Sequence, residues 1–325
     1  IHLNGAFQSS VAGDTNPAGP EIVLDGTAAG AAADGLSLES TLGQSSIRSL
    51  VVAGWGGAGV SVWDSYGVSI LGCYIGTDHT GSTATPNHDG VLLEGGNMHW
   101  VGTAAAGEGN VISGNSNHGL AVSETLRVLA QGNLIGTDRT GEGAVGNGGS
   151  GVWLGDGADS CWIGGVSAGE GNVISGNGAD GVTISGALTQ DNKVYGNWIG
   201  TQRDAAGPLG NGGHGVSIVD GAFNEVGGLE AEFGKGNVIG NCGGHGVVVV
   251  GATSLGNSIR GNAIRDNARL GVDLEGGSEG AFGVTANDPG DADVGANGLQ
   301  NFPVIDGAFA SANTEVWGSL SSMAN

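Results

Sequence analysis

The chain has 325 residues, 70 of them glycine and only 6 proline, with no Gly-X-Y period, which excludes collagen. An apolar fraction of 39% supplies a core and argues against general disorder. Thirty-two acidic against nine basic residues leave a formal charge of −23, and the two lysines, Lys193 and Lys235, cannot build the basic stripe that nucleic acid or an anionic membrane surface requires.

The chain opens at Ile1, with neither methionine nor signal peptide, inside a strand-rich region, so it is expected to be one segment of a longer precursor. Residues 1–58 are irregular and read as N-terminal coils or a cap, although Gly35-Leu36-Ser37-Leu38 already fits the pattern that follows. From there the motif glycine–apolar–any–apolar recurs with its glycine at 59, 90, 119, 151, 181, 215, 246 and 271, a unit of about 31 residues. Two unit types alternate. Those starting at Gly59, Gly119 and Gly181 contain IGTD or IGTQ (75–78, 135–138, 199–202); those between contain GNVISGN or GNVIGN (109–115, 171–177, 236–241).

The apolar alternation has period two over runs of a few residues, and no unit carries an amphipathic helix pattern. Short strands separated by glycine turns and repeated once per turn predict an all-β right-handed parallel β-helix, a solenoid of nine to ten coils with two alternating coil types, regular over 59–282. In each GVxI strand the flanking apolar residues point inward and the middle one outward. Asn110, Asn133, Asn172, Asn197, Asn237 and Asn262 share one row with Cys73, where stacked amides can satisfy buried turn backbone. The three cysteines, Cys73, Cys161 and Cys242, are widely spaced and odd in number, which reads as buried small residues rather than a disulfide framework or a zinc site. The repeat dissolves into an acidic closing loop and C-terminal cap over 283–305, and residues 306–325 read as the start of a following β-module, cut short at Asn325.

The GNVISGN runs, the IGTD…TG…GNGG turns and the closing GVDL (271–274) and GVTANDPGDADVGANGLQNFPV (283–304) resemble right-handed parallel β-helix repeat proteins of large bacterial secreted and cell-surface polypeptides. The resemblance spans nearly the whole chain. It implies the coil fold, an extracellular or cell-surface location and a neighbouring β-domain. It brings no established reaction and no catalytic residues.

Equivalent residues on successive coils stand about 4.8 Å apart, so each row is a candidate site. The residues before the turn glycines stack Asp180, His214 and His245, a carboxylate beside two imidazoles that could hold a transition metal, or else a polar corner facing water. A second row, Asp64, Glu94, Glu124, Asp156, Asp220 and Glu275, wavers by one residue and could supply paired carboxylates for glycoside hydrolysis. A lyase is the weaker enzyme reading, because cationic groups cluster only at Arg260, Arg265 and Arg269. The acidic loop is expected to bind calcium through Asp288, Asp291, Asp293 and Asn297.

An outward apolar row, Tyr74, Val111, Leu134, Val173, Trp198, Val238 and Ala263, with Trp100 and Trp162 on an adjacent row, is expected to form one strip that packs against another module, a second copy of the chain or a neutral glycan. The function expected from this is a non-catalytic extracellular rod of structural or adhesive kind, with no nucleic-acid partner and no membrane insertion. The alternative is a carbohydrate-active enzyme working along the acidic face. A groove with convergent acids, against flat ladders, discriminates the two.

Overall fold

The computed structural model describes residues 1–8, 13–17, 19–228, 235–277, 283–310 and 314–321. Each coil lays down up to three short strands, as in Val60–Tyr66, Val68–Leu71 and Tyr74–Ile75. Each coil strand pairs in parallel with its copy on the next coil: Val60 with Val91, Val91 with Leu120, Leu120 with Val152. The copies stack into three sheets. The first contains the GVxI strands, the second follows it around the corner, and the two share the long bent strand Val91–Val101, giving 17 strands together. The third sheet has 9 strands, from Ile22–Asp25 to Ala263–Arg265. This is the expected right-handed parallel β-helix. Between 59 and 275 the described residues contain no α-helix, only a 3₁₀ turn at Arg203–Ala205.

The core fills as the alternation requires. Val60, Val91, Leu120, Val152, Val182, Val216 and Val247 form one fully buried column, and Ile75, Ile112, Ile135, Ile174, Ile199 and Ile239 face it from the third sheet. The recurrent glycine sits where those columns meet. A Cβ on Gly119 would stand 2.6 Å from the Gly151 carbonyl oxygen and 2.9 Å from Ile135 Cγ2, so only glycine allows the coils this close.

Each of the three inner corners carries an asparagine ladder. Beside the expected row from Cys73 to Asn262, Asn87, Asn115, Asn147, Asn177 and Asn211 form a second, and Cys161, Asn192, Asn224, Asn257 and Asn297 a third. The two coil types differ in where the long loop lies. It follows the third-sheet strand in one type (residues 76–90, 136–151) and precedes it in the other (102–110, 165–172), so both kinds flank the third sheet. The IGTD motif builds the first kind: Asp78 Oδ1 accepts from the Thr80 hydroxyl at 2.7 Å and from three backbone N–H groups, and Asp138 repeats the turn. At the C-terminal end, Val304–Ala310 and Thr314–Ser319 pair as an antiparallel hairpin.

Candidate functional site: an acidic cleft

The last positions of the GVxI strands share register: Trp63, Glu94, Ser123, Gly155, Ser185, Val219, Val250 and Glu275. The next residue turns the corner into the second sheet with positive φ, 41° at Asp64, 48° at Glu124, 46° at Asp156 and 60° at Asp220. The acidic row is therefore two rows, with Glu94 and Glu275 on strand ends and the other four one residue on. Left-handed backbone is tolerable for aspartate and costly for glutamate, and Glu124 is held there.

Of these acids the fold gathers Glu94, Glu124 and Asp156, which line a cavity of about 470 Å³ with Ser123, Gly157, Gly186, Ala187 and Leu188. Burial raises the Glu94 carboxyl above the ordinary range, and the charges of Glu124, Asp156 and Asp64 push the same way. Asp64 leans onto this coil from the one before: a Cβ on Gly95 would lie 2.3 Å from its Oδ1. Asp220 is engaged elsewhere, accepting from the Thr253 hydroxyl at 2.8 Å. The cleft thus holds one carboxyl biased toward its protonated form beside two further acidic side chains.

The corner row has a structural explanation in most coils. Asp89 Oδ1 accepts from the His118 backbone N–H, His118 Nδ1 from that of Ser150, Asp180 Oδ1 from that of His214 and His214 Nδ1 from that of His245. Asp180 and His214 are thereby committed to backbone, and with His245 they do not converge on one point. His245 instead meets Asp273 and Glu275, one coil on.

In the closing loop the carboxylates of Asp288, Asp291 and Asp293 lie within 4.8 Å of one another. Asn297 is not with them. Its Oδ1 accepts from Asn257 N–H at 2.9 Å and its amide donates to the Asn257 carbonyl at 2.7 Å, which makes it the last rung of the third ladder. The loop is already closed by its own hydrogen bonds, Ala292 N–H to Asp288 and Asn301 N–H to Asp291.

The apolar rows fall on different sheets. Tyr74, Val111, Leu134, Val173, Trp198 and Val238 are in register on the third, whereas Trp100 and Trp162 are on the second, where Lys193 Nζ sits 5.4 Å from the Trp162 ring. Nor is the third-sheet row bare. Val111, Leu134 and Val173 form a small buried cluster flanked by Tyr74 and Trp198, beneath the long loops. A cleft of about 460 Å³ remains there, with Tyr74, Leu134 and Trp198 on its floor and Arg139 and Arg203 on its edge. A charged residue at 134 would disrupt packing within the chain itself.

No family model and no curated protein matches the sequence. Among solved structures, a double mutant of the periplasmic alginate epimerase AlgG aligns with a TM-score of 0.41 and 16% identity over 67% of this chain, and the chain spans only 40% of that protein's length. The A-module of the Azotobacter vinelandii mannuronan C-5 epimerase AlgE4 aligns with a TM-score of 0.27 and 13% identity over 85% of this chain and 87% of that one. No helix among the described residues is long and apolar enough to cross a membrane.

The expectation of a non-catalytic rod is corrected here. It required flat ladders, and the acidic face instead has a cavity lined by three acidic residues. What the geometry establishes is the architecture: the chain is a right-handed parallel β-helix protein.

Proposed function

We propose that the chain is an extracellular carbohydrate-active enzyme that hydrolyses a neutral glycan in the acidic cleft. The observation that carries this is the single cavity lined by Glu94, Glu124 and Asp156, and the raised Glu94 carboxyl supports it. Glu94 is the general acid. Its proton passes to the glycosidic oxygen as the bond to the anomeric carbon breaks. Glu124, one coil away and one residue beyond Ser123, the register partner of Glu94, attacks that carbon. With Glu124 as the nucleophile the mechanism is a retaining one, and Glu94, now ionised, takes a proton from the water that releases the sugar. Burial, and then the charges of Glu124, Asp156 and Asp64, raise the Glu94 carboxyl toward its protonated form. A polyanionic substrate would be repelled by this face, which is why the substrate class is neutral.

The roofed cleft on the third sheet belongs to the same reading. Tyr74 and Trp198 offer ring faces of the kind that sugar rings stack on, and a glycan chain is the partner proposed for it.

The test is release of reducing ends from a panel of soluble neutral glucans, mannans, xylans and galactans. Hydrolysis of at least one, lost in both Glu94→Gln and Glu124→Gln while their melting temperatures stay near that of the parent, is the expected result. Full activity in either variant, or none in the parent on any glycan, removes the assignment.

A further inference from the structure

We infer that His245, Asp273 and Glu275 form a binding site for a divalent transition-metal ion at the C-terminal end of the coil. The imidazole Nε2 of His245 and Oδ2 of Asp273 are 3.3 Å apart, and one ligand atom from each of the three residues lies within 4.8 Å of the other two. Metal–nitrogen and metal–oxygen bonds of about 2.0–2.2 Å make 3.3 Å an edge subtending roughly 100° at the ion, between octahedral and tetrahedral values. His245 and Asp273 are buried, with side chains only 5% and 7% exposed, and Glu275 is half-buried at the rim. Two carboxylates brought together in partial burial repel one another, and a dication relieves that repulsion better than a single imidazolium can.

The set also departs from the repeat at several positions at once. In the column that ends at Asp273, the preceding coils carry Ser61, Leu92, Ala121, Trp153, Thr183, Ser217 and Val248, with no carboxylate among them. In the column that ends at Glu275, the three coils before it carry Ser185, Val219 and Val250. Asp273 and Glu275 are two apart on one strand and so face the same side, toward the corner histidine of the coil below. The His245 ring is held in place from the coil below it. Its backbone N–H donates to His214 Nδ1 at 3.0 Å, and the two rings stack with centroids 5.3 Å apart and planes 8° from parallel. Imidazole with two carboxylates selects zinc, manganese, iron or cobalt over calcium, which prefers oxygen throughout. The inference is independent of the glycan-cleaving assignment, whose acids lie on earlier coils.

The experiment is titration of the chelator-treated full chain with cobalt(II), read by visible absorption and by thermal unfolding. The expected result is a low-symmetry cobalt band that saturates at one ion per chain, is displaced by zinc, and disappears in Asp273→Asn and His245→Asn. Glu275→Gln, at the more accessible position, keeps the test valid if the buried variants do not fold, and should weaken the ion at least tenfold. Asp291→Asn should leave the band unchanged. A featureless titration of the parent overturns the site, as does a band that survives at full strength in Glu275→Gln.

Discussion

The side-chain amide of Asn133 donates to Asn172 Oδ1 at 2.9 Å, and the same atom also accepts the backbone N–H of Asn133 at 2.9 Å. Asn172 in turn donates to the Ala130 carbonyl at 2.8 Å and to Asn197 Oδ1 at 2.9 Å, so one buried side chain serves four bonds across three coils. Asn172→Leu strips these partners without admitting water. At about 1–3 kcal/mol for each buried group left unpaired, the loss is expected to reach several kcal/mol, visible as a lower urea midpoint with the fold's circular dichroism retained. An unchanged midpoint would show that the ladders are decoration.

His99 is a buried base inside the coil. Burial pushes its pKa from 6.5 down to about 4, so it is neutral when folded and protonates readily only when unfolded. Stability is therefore complete above the unfolded pKa and falls as pH drops from about 6.5 to about 4, by roughly 3 kcal/mol. His99→Val, matching the Val128 that pairs with it on the next coil, should flatten this part of the pH–stability curve. A variant with the parent's slope over that window would place the titrating group elsewhere.

The thiols offer a cheap check on the core. Burial pushes Cys73 up to about 11 and Cys161 up to about 12, and raises Cys242. All three are free and buried. An aromatic disulfide reagent at mildly alkaline pH should find no reactive thiol in the native chain and all three in denaturant. Rapid native labelling would mean that a coil opens.

Asp64 tests the acid assignment without removing a reacting group. Its negative charge helps hold the Glu94 proton, so Asp64→Asn lowers the Glu94 pKa and moves the alkaline limb of the glycan-hydrolysis profile to lower pH. Activity at the optimum should persist. A limb that stays put, or moves upward, contradicts Glu94 as the acid.

For the closing loop, calcium is expected to raise the melting temperature through Asp288, Asp291 and Asp293, and Asp291→Asn should remove most of the increment. If millimolar calcium shifts neither, the hydrogen bonds from Ala292 and Asn301 are all that closes it.

The coil is legible in the sequence because its period is written in glycines that steric contact makes obligatory, as at Gly119. Of the three asparagine ladders, only the one from Cys73 to Asn262 stands out along the chain. Asn115 and Asn177 sit five residues after Asn110 and Asn172 in the same GNVISGN runs, and their spacing against Asn87, Asn147 and Asn211 is the quieter signal of the second. The acid cleft is half visible: a strand-end residue and a corner residue differ by one position, so Glu94 and Glu124 look like a wavering row. His245 with Asp273 is not visible at all, since that contact joins a corner on one coil to mid-strand on the next. The apolar strip misleads because the long loops return over it, and neither their path nor their cover can be read from strand periodicity.

Glu94, Ser123, Gly155, Ser185, Val219, Val250 and Glu275 are successive partners, six steps that separate the acidic cleft from the cluster at Glu275 by about 29 Å. The solenoid is thus a ruler graduated in coils. Excising one pair of coils between them would slide the two places about 10 Å closer while leaving every residue of each intact, so evolution can set their distance by counting repeats.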